Sequence, residues 1–455
     1  MRGLPVWGDK RRGISFASVL LNAGTLVGSN LVSAGLGAIY WGLAARSFDP
    51  SEVGMASAAL AATLLLGSLS ALGTTTLLVG ELPRRTTIER SRLVMTAMLV
   101  TGTAGAILGV AFAVTAPLLS PELRAFVGEW ASAAIVIVMI CANAVGGVID
   151  HALIGLLRGE VQFARNTTLA VVKLGALLVV AGLPLPNRAL VLYATWLVGT
   201  LASFAVVVPL AGVGRLPRIA YRPQLEMLRH LGRSALQHHA LNLSLQVPTA
   251  VLPLVVTVLL SATANAYFYL ASMFASLVYM VPLALSTTLY AVASHAPAAL
   301  ASRTRFTFIL SMAAGLCANL FFLVAARPIL ALIGRGYVDE VDWVLRILLI
   351  AVFPITVKVH FVALSQVNKR VGRAAVVVSL TGLAEIVSAA VGAMLGDLHT
   401  LAVAYVLVIC AEGIVLAPVV VRLAAISSGE AELPSGPDAV ATQHLAQDSF
   451  QRSAR

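Results

Sequence analysis

Eight ionisable side chains lie inside long apolar runs of this sequence: Asp150, His151, Lys173, Arg346, Lys358, His360, Glu385 and Glu412. A charge moved from water into an apolar medium is costly unless it is paired, so each of these is a functional candidate. Two kinds of chemistry are open to the set. Lys173, Arg346 and Lys358, with Arg46 at the end of the first run, are cations that could hold an anionic ligand. Asp150, His360, Glu385 and Glu412 could carry a proton, and imidazole is the side chain whose ordinary pKa suits that role. Plain structural readings stand beside these. Acid and base can neutralise one another and hold helices together, a histidine in an apolar run can be a hydrogen-bonding filler, and Arg346 can snorkel to the membrane surface. No metal is expected. His238 and His239 have no second ligand pair, and Cys141, Cys317 and Cys410 lack paired spacing and read as small buried hydrophobes.

The elements that must position these residues are membrane helices. The chain has 455 residues, 59% of them hydrophobic and 11% charged, with a mean hydropathy of +0.92. Soluble domains carry about 25% charged residues, so the solvent implied here is lipid. Twelve apolar runs are long enough to span a bilayer: 17–45, 53–80, 93–116, 131–157, 164–183, 189–211, 237–260, 265–292, 306–326, 342–365, 372–395 and 399–421. The first, second and eighth are long, which predicts tilt or extension beyond the hydrocarbon. Lys10, Arg11 and Arg12 precede an apolar run too long for a signal peptide, so that run reads as the first membrane helix. The expected organisation is a cytoplasmic N-terminus (1–16), a first lobe (17–211), a basic linker (212–236), a second lobe (237–421) and a disordered tail (422–455).

A net charge of +11 would suggest nucleic acid in a soluble protein. Here the charges sit in loops and follow the positive-inside rule instead. If the runs alternate across the membrane, 23 of the 31 Lys and Arg residues fall on one side, including both termini and the linker. Five fall on the other (Arg46, Arg124, Arg188, Arg327 and Arg335), and three lie within spans. That predicts a multi-pass protein of the cell or plasma membrane with both termini cytoplasmic.

The halves resemble each other. At an offset of 212, "GTTTLL" (73–78) falls on "LSTTLY" (285–290), and "SEVGMASAAL" (51–60) falls on "TANAYFYLAS" (263–272). At about 210, "IDHALIGLLRGEVQFAR" (149–165) falls on "VHFVALSQVNKRVGRAA" (359–375), which aligns Asp150 with His360. Six spans per half make the repeats parallel, and transporters built from repeats bind substrate where the repeats meet. With inner turns near residues 161 and 370, Asp150 and Lys173 both lie ~17 Å from the first turn at 1.5 Å per residue, and Lys358 and Glu385 flank the second at similar depth. Two pairs are therefore predicted, Asp150–Lys173 and Lys358–Glu385.

Between the first two runs the chain reads "LAARSFDPSEVGMASAAL" (43–60). Asp49 is a good N-cap, Pro50 suits the first helical position, Glu52 can reach back to the cap, and Arg46 suits the preceding helix end. With these residues the chain resembles the polysaccharide flippases of the multidrug/oligosaccharidyl-lipid/polysaccharide exporter superfamily. Their first helix is followed by Ala-Arg-x-Leu-x-Pro-x-Glu-x-Gly; Ala45, Arg46, Pro50, Glu52 and Gly54 match, and Phe48 replaces Leu. "RPILALIGRGYVDEVDWVLRILLIAVFPITV", with Gly336 and Tyr337, resembles the segment joining their ninth and tenth spans.

The resemblance covers about 15–420 and implies twelve transmembrane helices in two parallel six-helix lobes around a central cavity. It implies a transporter, not an enzyme, that moves a polyprenyl-linked oligosaccharide from the cytoplasmic to the outer leaflet by alternating access for cell-surface polysaccharide assembly. The cations Arg46, Lys173, Arg346 and Lys358 would then face a pyrophosphate. Expected partners are that lipid-linked substrate, membrane lipids and polysaccharide-assembly proteins, with no nucleic acid and no cofactor; a Gly-x-x-x-x-Gly-Lys motif is absent. The alternative is a cation-coupled drug antiporter of the same superfamily, which often has an acid in its first helix; residues 17–45 contain none.

Overall fold

The computed structural model describes residue 33 and residues 35–210, 223–226, 233–293 and 300–429. The expected N-terminal segment 1–16, the earlier part of the first run, most of the 212–236 linker and the tail beyond 429 lie outside the described residues. Helix ends follow their sequence signals closely. The helix α1 (35–47) stops before Asp49, whose extended backbone (φ −66°, ψ 149°) makes it the N-cap of α2 (Pro50–Ser70). Pro50 is the first helical residue, and Glu52 Oε2 accepts the Asp49 N–H at 2.9 Å, as its spacing predicts.

A helix follows for every later run. They are α3 (Thr74–Glu81), α4 (Thr87–Leu119), the short α5 (Pro121–Val127), α6 (Trp130–Gly155), α7 (Gly159–Ala181), α8 (Arg188–Leu210), α9 (Arg233–Leu259), α10 (Ala262–Ala293), α11 (Leu300–Ile333), α12 (Val338–Ile350), α13 (Val352–Val367), α14 (Val371–Leu395) and α15 (Leu398–Gly429). Ten described helices are long and apolar enough to cross a membrane, and α12 with α13, bent by 42°, bring the number to eleven if the pair is one broken span. These match the second to twelfth runs, and α1 ends the first. Two runs are broken where a single helix was expected. The second parts into α2 and α3 at Leu72 (φ 47°) and Gly73 (φ 81°), a left-handed step that glycine takes without a steric penalty. The tenth parts at Ala351, because the Pro354 ring displaces the carbonyl four residues before it, that of Ile350.

The internal repeat is visible in the backbone. After α6, the Arg158 N–H donates to Leu153 O at 2.8 Å and the Leu157 N–H to Ile154 O at 3.0 Å. After α13, the Arg370 N–H donates to Ser365 O at 2.8 Å and the Lys369 N–H to Gln366 O at 3.1 Å. Leu157 (φ 53°) and Lys369 (φ 56°) take the same left-handed conformation. Both turns are Schellman motifs, and every atom of one maps to the other at an offset of 212. The offset of 210 used for this segment is thereby corrected. Asp150 falls on Val362, not on His360, and Lys173 falls on Glu385.

Helix packing divides the chain into two compact units. The larger holds α1 to α9, the first half of α10, the end of α11, α12, α14 and the first part of α15. The smaller holds the end of α10, α11 as far as Cys317, α13 and the rest of α15. Within the larger unit α2 packs on α6, α8 and α9, α4 on α6, α7 on α8, and α14 on α9. Small residues bring these helices together. A Cβ on Gly105 would lie 3.3 Å from Cys141 Cα, and one on Gly109 would lie 3.1 Å from Ile137 Cα. Cys141 Sγ donates to Gly102 O at 3.5 Å in the same seam. The three cysteines are free, but the expectation of burial is not met: Cys141 and Cys410 are half-buried, and Cys317 is exposed on α11. In lipid an exposed thiol on an apolar helix has nothing to avoid. Exposed Leu118, Val324, Leu395 and Ile414 likewise belong on a lipid-facing surface.

Candidate functional site

The first half does not form the Asp150–Lys173 pair. The inner turn lies at 156–158, not near 161, so Asp150 is only five residues from the end of α6 and Lys173 is fourteen from the start of α7. At 1.5 Å per residue they sit ~8 and ~21 Å from that turn, too different in depth to meet. Arg165, counted as a loop charge by the positive-inside tally, is six residues into α7 and level with Asp150. Its Nη1 donates to Asp150 Oδ1 at 2.5 Å, with the Arg165 side chain 5% exposed. The guanidinium packs beside Gly146, where a Cβ would come within 2.6 Å of Nη2, and lies 5.6 Å from the Phe204 ring centroid.

Arg165→Ala would strand the Asp150 carboxylate. We expect a loss of about 2 kcal/mol in stability, below the range for fully buried pairs because Asp150 is a quarter exposed. Exchanging the charges as Asp150→Arg with Arg165→Asp should recover part of it, whereas Asp150→Lys with Lys173→Asp should not. Thermal unfolding in detergent checks both.

Lys173 is buried, 4% exposed, and the acid expected for it is occupied elsewhere. Its Nζ instead lies 3.4 Å from the Trp196 ring centroid and 5.2 Å from that of Tyr40. Desolvated contacts of this kind contribute about 2 kcal/mol. Gly199 lets α7 and α8 close around the lysine: a Cβ there would lie 2.7 Å from Leu169 O and 3.0 Å from Lys173 Cβ. Tyr40 is held by a 2.6 Å hydrogen bond between its hydroxyl and Thr195 Oγ1. Trp41 extends the aromatic group, with its centroid 6.2 Å from Trp196 and 4.7 Å from Tyr269 of α10. One ammonium and four aromatic rings therefore converge from α1, α7, α8 and α10. The residues missed in the sequence were Arg165 and these rings. A signal was present: two of the chain's five tryptophans, Trp41 and Trp196, lie within apolar runs one turn or two from their ends.

In the smaller unit, Lys358 Nζ lies 3.1 Å from Glu412 Oε2, with both side chains buried. Gly413 permits it: a Cβ there would be 2.6 Å from Pro354 Cβ, so α13 and α15 nearly touch. The expected Lys358–Glu385 pairing spans the two units and stands as a proposal; Glu385 itself is buried in α14. His360 is fully buried, with Nδ1 2.8 Å from Thr356 O and Nε2 3.2 Å from Thr307 Oγ1. The carbonyl requires a proton on Nδ1, while the Thr307 hydroxyl beside Nε2 also reaches Arg303 O at 3.0 Å. Phe308 packs against the ring edge to face at 5.4 Å.

The two remaining cations bond to nearby helices. Arg346 Nε donates to Asp342 Oδ1 at 2.9 Å, one turn earlier, and Nη2 to Leu323 O at 3.3 Å. Arg46 Nη2 donates to Leu332 O, close to the end of α11.

These features define a multi-pass, all-helical membrane protein built on an internal repeat, and its fold is that of the transporters of the MOP superfamily. A multidrug resistance MATE family transporter of that superfamily, in an inward-facing conformation, superposes with a TM-score of 0.63 at 15% identity, over 89% of this chain and 96% of the other. The lipid II flippase MurJ, inward closed, gives 0.66 at 11% identity over 88% and 89%. A MOP superfamily transporter from Pyrococcus furiosus, described by the reversed polarity of its binding pocket, gives 0.51 at 14% identity over 90% and 94%. At these identities the likeness is one of fold. No protein-family model matches the sequence, and no curated protein does.

Proposed function

We propose that this chain is a transporter that flips a polyprenyl-linked oligosaccharide from the cytoplasmic to the outer leaflet by alternating access. The observation that carries this reading is the Lys173 site. A buried lysine with no carboxylate partner among the described residues leaves its amine available to an anion, and the pyrophosphate of a lipid-linked sugar, by supplying the missing counter-charge, is such a group. Trp196 and Tyr269, the two rings of the group that are only partly buried, are suited to stack on sugar faces. Lys358 with Glu412 is the second candidate locus, for substrate or for a coupling proton. Arg46 is engaged at the end of α11, Arg346 is paired with Asp342 one turn earlier in α12, and both are assigned to the fold. The charge count supports a topology with both termini in the cytoplasm and the α1–α2 turn outside.

In cells lacking the chain, lipid-linked oligosaccharide should accumulate on the inner leaflet, measured by its protection from an externally added glycosidase. Lys173→Ala should reproduce the accumulation, and Lys173→Arg should relieve part of it. An unchanged lipid pool with altered drug or cation sensitivity would make the protein an antiporter instead.

A further inference from the structure

Four hydrogen bonds tie the first repeat to the second near the α1–α2 turn, all within the larger unit. Asn265 Nδ2 of α10 donates to Gly54 O at 2.7 Å and to Ser57 Oγ at 3.1 Å. Glu122 Oε2 of α5 accepts the Ala262 N–H at 2.9 Å and so caps α10, whose first-turn amides have no partner within the helix. Arg46 donates to Leu332 O at the end of α11, where carbonyls are equally in need of partners. The turn is in its own right fixed to α8. Arg188 Nε lies 3.4 Å from Glu52 Oε2, its Nη2 donates to Ser47 O at 2.8 Å, and its guanidinium covers the Phe48 ring at 4.6 Å.

The place of these contacts in the repeat gives them meaning. At the offset of 212, Gly54 corresponds to Ala266, and a Cβ on Gly54 would lie 2.9 Å from Ala266 N. Equivalent residues meet there, so α2 and α10 cross at the repeat axis, where the two repeats have to part if this face is to open. None of these four hydrogen bonds is an ion pair, so they can be broken and remade one at a time. The Asn265 Oδ1 atom, buried and without a hydrogen-bond partner, can gain one when the crossing shifts.

We propose that Arg46, Gly54, Ser57 and Glu122, with Asn265, Ala262 and Leu332, form a clasp that holds this membrane face shut and releases when it opens. The proposal rests on the alternating-access reading, but its test does not need the substrate. In a background with Cys141, Cys317 and Cys410 replaced by alanine, Ser57→Cys places a thiol at a fully buried position of the clasp. Labelling by a membrane-impermeant maleimide should be slow there, and about tenfold faster when Glu122→Ala and Asn265→Ala are added, given what two such hydrogen bonds contribute. Labelling unchanged by those substitutions would overturn the clasp. Independently, Glu122→Cys with Ala262→Cys should oxidise to a disulfide that blocks cycling, with reduction restoring it. Failure to oxidise, or undiminished cycling when oxidised, would overturn it too. If flipping is absent while labelling responds to the clasp, the substrate reading falls and the clasp remains.

Discussion

Replacing Gly54 with alanine is expected to cost about 3 kcal/mol or more, at the upper end of what overpacking a core costs. The added Cβ would lie 1.6 Å from Ala262 O, 2.6 Å from Ala262 C and 2.9 Å from Ala266 N. All three are backbone atoms, so no side-chain rotation relieves the clash, and α2 and α10 have to separate by more than an ångström. Separation also stretches the Asn265 to Gly54 hydrogen bond and leaves the Gly54 carbonyl, in a fully buried setting, with fewer partners. Gly80 and Gly147 are the controls: nothing lies within 4 Å of a Cβ at either, and both sit inside helices. Alanine there should be neutral or stabilising by up to ~1 kcal/mol. Thermal unfolding of the purified protein in detergent gives the comparison. A Gly54→Ala protein as stable as the Gly80→Ala one would mean that α2 and α10 do not approach as described.

The reach of the sequence can be judged on the same stretch. Asp49, Pro50 and Glu52 announced the helix start through local chemistry, and each sits where its chemistry requires. Gly54 matched a family pattern, but its reason, the backbone of α10, lies more than 200 residues away and has no local trace. Span positions were legible because lipid demands long apolar helices, whatever the tertiary contacts. The breaks were less so. Gly73 and Pro354 are visible as residues, yet many transmembrane helices carry glycine or proline unbroken, as α4, α10 and α15 do with Pro117, Pro282 and Pro418. The turn after the fourth run was misplaced because α7 opens at Gly159, within the polar stretch 158–166 that separates the apolar runs. That shift of a few residues was enough to assign Asp150 the wrong partner. In the second half the turn was placed correctly at 368–370, and there the depth of Lys358 could be read. Its partner Glu412, on α15, could not, because a helix contact is set by packing and not by distance along the chain.

Removing the ammonium of the Lys358–Glu412 pair should be the other severe change. Lys358→Met leaves the Glu412 carboxylate, 3% exposed, without the cation 3.1 Å away, and breaking a buried pair from one side typically costs 3–5 kcal/mol. Glu412→Gln in the wild-type background should cost less, since the amide oxygen can still accept from Lys358 Nζ. The double variant Lys358→Met with Glu412→Leu removes both charges at similar volume. It should return to within about 1 kcal/mol of the wild type, because neither group then has to be desolvated. This last variant separates two roles for the pair. A pair that only joins α13 to α15 leaves lipid-linked oligosaccharide turnover intact once stability is restored. A pair that binds substrate or carries a coupling proton loses turnover even though the protein is stable, and a charged partner cannot be replaced there by a packed one. We expect the second outcome: a stably folded protein whose oligosaccharide accumulates on the inner leaflet as it does in cells without the chain. Full turnover by the double variant would assign Lys358 and Glu412 to the fold and leave the Lys173 site as the sole charged locus for substrate among those discussed.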